Sequence, residues 1–144
     1  MFRRLVDSLY GEAMLLAEEA RAYFGQDGRV QRDVLDPEAR VQFACESLKV
    51  TTRLAHVIAW LLTQRAVEAG EITPGEALHL SRRLGDAPSS VEETIASLPV
   101  GARTLVVASV ALHRRAVAHD AALAAEAAVD SPVRAMQDRL AATF

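Results

Sequence analysis

Tryptophan and cysteine each occur once, and aromatic residues make up only 5% of the chain although 51% of its 144 residues are hydrophobic. Alanine fills much of that quota, and small apolar side chains favour close-packed helices over sheets. The lone Cys45 leaves no intrachain disulfide to stiffen the fold. The opening Met1-Phe2-Arg3-Arg4 leads into an amphipathic pattern without the apolar core of a signal peptide, so a cytoplasmic protein is expected. The longest wholly apolar run, 57–62, falls far short of the roughly 20 residues a membrane span needs, which argues against a membrane partner. Lys and Arg number 16 against 19 Asp and Glu, for a net charge of −3. With no basic run either, nothing is positioned to neutralise a phosphate backbone, which argues against nucleic acid. The length suits one domain, 1–144, able to bury a core without metals or cross-links.

What the chain does have is helix periodicity. Phe2, Leu5, Val6, Leu9, Ala13, Leu16, Ala20 and Phe24 recur at helical spacing, predicting a first long helix over 2–24 that Gly25-Gln-Asp-Gly28 ends in a left-handed turn. A polar linker is expected up to Leu35. Asp36-Pro37-Glu38 then starts a second helix: Asp caps free N–H groups, Pro pre-sets φ, and Glu suits the positive end of the dipole. No breaker follows before Gly70, giving a helix over 37–69. Its apolar residues, among them Val41, Phe43, Leu48, Val50, Leu54, Ile58, Leu61 and Leu62, sweep an arc of about 200°, wider than one neighbouring helix covers.

Thr73-Pro-Gly-Glu76 predicts a short helix to about Leu84, and Ser90-Val-Glu-Glu93 a further capping box before Leu98-Pro99. A third long helix follows over 101–128, with Asp130-Ser-Pro132 restarting a short terminal helix or a frayed tail. The expected architecture is all-α, an antiparallel three-helix bundle with short helices in the connection between the second and third. The wide apolar arc of the second helix further predicts a homodimer.

Candidate chemistry is sparse. Cys45 and His56, three helical turns apart, are too distant for a nucleophile–base pair, and Cys45 is expected to pack as a small apolar residue. Glu76-Ala-Leu-His79 has the Glu-x-x-His spacing of carboxylate-bridged di-metal bundles, yet such sites need a second copy that the chain lacks. A metal-dependent bundle enzyme using Glu76, His79 and Glu12 is therefore the lesser alternative. His113 and His119 point to different faces, and no phosphate-cradling loop or nucleophile triad occurs. No catalytic residue, metal or cofactor is expected.

Trp60 is the oddity. It falls outside the apolar arc, beside Gln42, Lys49, Arg53, Gln64 and Val67 and one turn beyond His56. Either short segments near Leu80 or Ile95, or the first helix, fold over it, or Trp60 with Arg53, Gln64 and Arg65 forms an exposed anchor for a protein partner.

The stretch from Cys45 to Thr73 resembles the signature of the alphaproteobacterial RcdA family, regulators of CtrA degradation. The most specific parts are Thr52-Arg-Leu, Ala59-Trp-Leu-Leu and Gln64-Arg-Ala-Val. At the level of layout the likeness extends to Leu98-Pro99 and to Leu112-His-Arg-Arg with His119-Asp120, and it departs from the family at His113 and in a short tail beyond Asp130. The resemblance implies a dimeric helical bundle acting without catalysis: an adaptor in cell-cycle control that helps the ClpXP protease receive cargo, with one protease-side and one cargo-side partner. A purely structural dimerisation domain is the remaining alternative.

Overall fold

The computed structural model describes residues 2–143, with the side chains of all of these except 130–132, 134, 135 and 138. It is all-helical among the described residues. Helix α1 spans Phe2–Ala22, α2 Arg29–Asp33, α3 Pro37–Glu68, α4 Pro74–Ala77, α5 Glu92–Ser97 and α6 Val100–Thr143. The long helices α1, α3 and α6 pack pairwise around one hydrophobic cluster.

Each long helix contributes a seam at three- and four-residue steps, the spacing that lets side chains of one helix seat between those of another. In α1 the seam is Val6, Leu9, Ala13, Leu16 and Ala20, all buried. In α6 it is Ala102, Leu105, Ser109, Leu112, Ala116 and Asp120. In α3 it runs Phe43, Glu46, Val50, Arg53, Val57, Trp60 and Gln64, so four of its seven positions are polar, charged or tryptophan. The wide apolar arc expected for this helix is thus divided. Val50, Leu54 and Leu61 go inside, while Val41, Leu48 and Leu62 lie exposed on the opposite face.

Capping explains where α3 begins and ends. The Asp36 carboxylate accepts from the Ala39 N–H at 2.8 Å and Pro37 occupies the first turn, as the sequence predicts. Beyond Glu68 the chain turns at Gly70, whose φ of 77° lies in the left-handed region that side chains disfavour. The end of α1 differs from expectation. Gly25 sits within a π-helical turn, Tyr23–Asp27, and Gly28 has φ −88°, so neither glycine is left-handed. Gly28 is there for space, since a Cβ would lie 2.8 Å from the Tyr23 carbonyl oxygen that accepts the Gly28 N–H. The expected polar linker also contains the helical turn α2.

Two further segments depart from expectation. The helix expected from Pro74 to Leu84 is one turn of α4, capped by Thr73, and a 3-10 turn at Leu80–Arg82. Ser90 does not cap α5, whose N-cap is Val91; its hydroxyl has another use, described below. At the other end of the chain, α6 runs as one 44-residue helix through Pro132 rather than restarting there.

The bundle is antiparallel only in part. Tyr23 and Phe24 at the end of α1 pack on Phe43 near the start of α3, and Arg65 near the end of α3 stacks 3.9 Å over Tyr10 of α1. These two helices are antiparallel. Arg53 meets Ser109, however, and one helical stretch later Trp60 meets Asp120, so α3 and α6 run in the same direction. The expectation that all neighbours alternate is corrected here, and the reason is the 69–99 connection. Rather than turning tightly, it travels back along the groove between α3 and α6 before α6 starts.

Gly101, at the start of α6, lies against the Tyr23 ring, where a Cβ would fall 2.8 Å from Cζ. Gly101→Ala is expected to lower stability by about 1–3 kcal/mol through overpacking. Gly11→Ala, in α1 with open space around it, should raise stability by about 0.5–1 kcal/mol. Chemical denaturation of the two variants checks both signs.

Candidate functional site

The polar stripe of α3 clasps the returning connection. Lying in a groove without regular structure, that segment needs hydrogen-bond partners for carbonyls no ladder can satisfy. Lys49 Nζ donates to the Ser89 carbonyl at 2.9 Å, and Arg53 Nη2 to the Pro88 carbonyl at 3.0 Å. From α6, His113 Nε2 lies 3.1 Å from the Gly85 carbonyl. Three carbonyls of 85–89 are thereby satisfied from two helices.

Arg53 is the hub. Its guanidinium, only 2% exposed as a residue, also donates to Ser109 Oγ at 3.2 Å and to Ser90 Oγ. The Ser90 hydroxyl passes the interaction on, donating to Glu46 Oε2 at 2.5 Å, while Lys49 holds Glu46 Oε1 at 3.2 Å. Burial lowers the Arg53 pKa from its ordinary value, and the Glu46 carboxylate opposes that by favouring the cation. A planar, five-donor group suits this position, because it contacts one carbonyl and two hydroxyls at once.

A second clamp lies further along. The Asp120 carboxylate, nearly buried, accepts from Trp60 Nε1 at 3.1 Å and from Arg83 Nε at 2.9 Å on both oxygens, with Arg83 Nη2 at 2.8 Å. Its hydrogen bond and charge raise the Arg83 pKa. Between the two clamps His56 packs beneath Gly85, where a Cβ would lie 3.1 Å from Nδ1; that nitrogen is buried without a hydrogen-bond partner. Glycine at 85 therefore lets the backbone approach the imidazole.

The connection leaves a surface cleft of about 510 Å³ beside α6. Pro88 and Ile95 line it from the connection and Val107, Val110, Ala111 and Val117 from α6, together with the polar Arg53, Ser90, Glu92, His113 and Arg114. Val107 and Val117 are about half exposed.

A family model described as "Protein of unknown function (DUF1465)" matches residues 1–144. Among solved structures, the crystal structure of RcdA from Caulobacter crescentus CB15 is similar, with 36% sequence identity and a TM-score of 0.68 over 83% of this chain and 90% of that one. The chain belongs to the RcdA family. No curated protein matches it.

In this RcdA-family chain the four residues expected at an exposed partner patch have different surroundings. Trp60 and Arg53 are 2% exposed and Gln64 6%, so the expectation of an exposed anchor is corrected for these three. The reading in which linker segments fold over Trp60 describes the structure, since Arg83 reaches the same carboxylate that holds the indole. Arg65 stays at the surface, but its guanidinium stacks on Tyr10 and donates to Asp7 at 3.1 Å. It links α3 to α1. Sequence reasoning gave no structural role to Glu46, Arg83 and Asp120, and it read Ser90 as a cap.

The residues of the metal alternative do not converge. Glu12 pairs with Arg115, and the Glu76 N–H caps onto Thr73 Oγ1. Among the described residues no group of three His, Cys, Asp or Glu side chains could hold an ion. Cys45, expected to pack inside, is exposed on the outer side of α3. No helix among the described residues is long and apolar enough to cross a membrane.

Removing Arg53 strips the Pro88 carbonyl and the Ser90 and Ser109 hydroxyls of a donor and takes away the cation that the buried Glu46 carboxylate faces. Arg53→Met is expected to cost about 3 kcal/mol, in the range for breaking a buried ion pair from one side, and Arg53→Lys to recover only part of it. Hydrogen exchange of the 85–91 amides should rise more than that of the α1 core. Because Trp60 is the only tryptophan, its fluorescence should be blue-shifted and shielded from quenchers in the wild type. In Arg83→Ala, quencher access to the indole should increase.

Proposed function

We propose that this chain is a non-catalytic adaptor of regulated proteolysis, docking cargo for the ClpXP protease in cell-cycle control as a homodimer. Its membership in the RcdA family, carried by the 36% identity to the Caulobacter crescentus structure across most of both chains, is the observation that supports this reading. Two surfaces agree with it. The first is the outer face of α3, where Val41 is 63% exposed and Leu48 68%, with Ala55, Ala59 and Leu62 continuing the stripe opposite the buried seam. Stripes of that kind bury themselves against a second copy about a two-fold axis. The second is the cleft between 87–95 and α6, whose lining combines apolar side chains with charged and polar ones, as docking surfaces do.

In this reading the self-association face and the docking cleft lie on different helices, which lets a dimer present two clefts at once. The adaptor binds protease-side and cargo-side partners by surface contact and performs no bond chemistry.

Sedimentation at micromolar concentration should give a dimer for the wild type and a monomer for Leu48→Asp, and a monomeric wild type would remove the dimer from the proposal. For the adaptor role, deletion in the native host followed by proteome-wide half-life measurement should reveal stabilised proteins. Cargo captured by wild-type protein should be lost with Val107→Glu, which alters the cleft without touching the clamps. A proteome with unchanged half-lives would leave this chain a structural dimerisation domain instead.

A further inference from the structure

A second hollow, of about 260 Å³, lies where the start of α1, the end of α3, α4 and the middle of α6 meet. Its volume is below the usual range for drug-sized ligands and suits a body the size of one amino-acid side chain. Phe2, Val67, Leu78 and Leu123 supply apolar wall, and Gln64, Asp120 and Glu126 supply the polar groups.

Gln64 is the observation that points to a ligand. It is 6% exposed, sits in the α3 seam, and its side-chain amide makes no hydrogen bond with any described residue. Neither amide atom is wholly sealed off, and Gln64 lines the hollow, which is open to the surface beside Glu126. A nearly buried amide without a protein partner costs up to about 1–3 kcal/mol unless water or a ligand pairs with it. The α3 seam accepts that cost only here; Glu46, Arg53 and Trp60 are all satisfied by the chain itself.

The charge of the hollow selects the partner. Asp120 is neutralised by Arg83, which bonds both its oxygens, leaving Glu126 as the uncompensated carboxylate: it makes no ion pair with a described residue. The wall formed by Gln64 and Val67 belongs to the last turns of α3, where the helix dipole is negative and favours a cation. Acceptors and negative potential on one side and apolar side chains on the other describe a receptor for a small apolar ammonium.

We propose that this hollow binds a primary ammonium group carried on an apolar body the size of a leucine side chain, with the Gln64 amide oxygen and Glu126 carboxylate as acceptors. A free organic amine and the amino terminus of a peptide share that chemistry. The inference does not rest on the adaptor reading, because the hollow is separate from both the α3 outer face and the 87–95 cleft.

Isothermal titration with L-leucinamide, N-acetyl-L-leucinamide and a C-terminally amidated tetrapeptide beginning with leucine tests it. Leucinamide should bind, and its acetylated form at least tenfold more weakly, having lost the ammonium. Glu126→Gln, at an exposed position that leaves the core intact, should weaken leucinamide about tenfold, and Gln64→Leu should reduce binding further while the thermal midpoint is retained or raised. Peptide binding as tight as leucinamide assigns the site to amino termini; peptide binding tenfold weaker assigns it to free amines. No heat from leucinamide at millimolar concentration, equal binding of the acetylated form, or unchanged affinity in Glu126→Gln overturns the proposal.

Discussion

The fold depends on satisfying the backbone of an irregular segment inside a helical groove. Carbonyl groups at Gly85, Pro88 and Ser89 are turned toward α3 and α6, and each would cost free energy comparable to a lost hydrogen bond if left alone. His113, Arg53 and Lys49 meet them. With those donors in place the connection can run back along the length of the bundle, and α6 can then start beside the start of α3. Without them, a short turn and an antiparallel third helix would be the cheaper arrangement. Buried ion pairs are weak sources of stability but effective specifiers of arrangement, and the Glu46–Ser90–Arg53–Ser109 chain has the position expected of a specifier. It fixes which stretch of the connection lies on which turn of each helix.

Much of this was legible in the sequence, and the limits have physical causes. Asp36-Pro37 and Thr73-Pro74 signalled helix starts because capping is local chemistry, settled within four residues. The seam of α1 was legible because all its members are apolar. The seam of α3 follows the same three-four spacing, but with Glu46, Arg53 and Gln64 at core positions, so a search for apolar recurrence found Phe43, Val50, Leu54 and Leu61 and missed the polar half of the core. Spacing without hydrophobicity carried the correct signal: 43, 46, 50, 53, 57, 60 and 64 advance in strict three-four alternation. The parallel relation of α3 and α6 had a signal too, in the length of the 69–99 segment, since a tight antiparallel junction needs only a few residues. Asp120 as the partner of Trp60 had none, because sixty positions separate the two and nothing local relates them.

The polar seam also explains where the apolar side chains of α3 went. A helix has room for a limited number of inward positions, and each given to a charged or amide side chain displaces an apolar one outward. Leu48 and Val41 are exposed in a chain that buries an arginine and a glutamate one or two turns away. In the adaptor proposal that outward stripe is the self-association face. The long helix α3 thus carries residue types opposite to ordinary expectation: polar groups face the chain's own connection, and apolar groups face away from the protomer.

The two clamps differ in what they can tolerate. At Asp120 a single carboxylate joins three elements, α3 through Trp60, the connection through Arg83 and α6 through its own backbone, so losing Trp60 or Arg83 leaves the other still paired, while losing Asp120 releases both. At Arg53 one guanidinium holds three groups, the Pro88 carbonyl and the Ser90 and Ser109 hydroxyls, and its loss leaves that carbonyl with no donor while Glu46 keeps Lys49 and Ser90. The first clamp therefore tolerates the loss of either donor, whereas the second depends on its one donor. The cleft wall at Pro88 and Ile95 is continuous with the Arg53 clamp, and Arg53 itself lines the cleft, so the geometry of the surface proposed for docking is set by a nearly buried side chain.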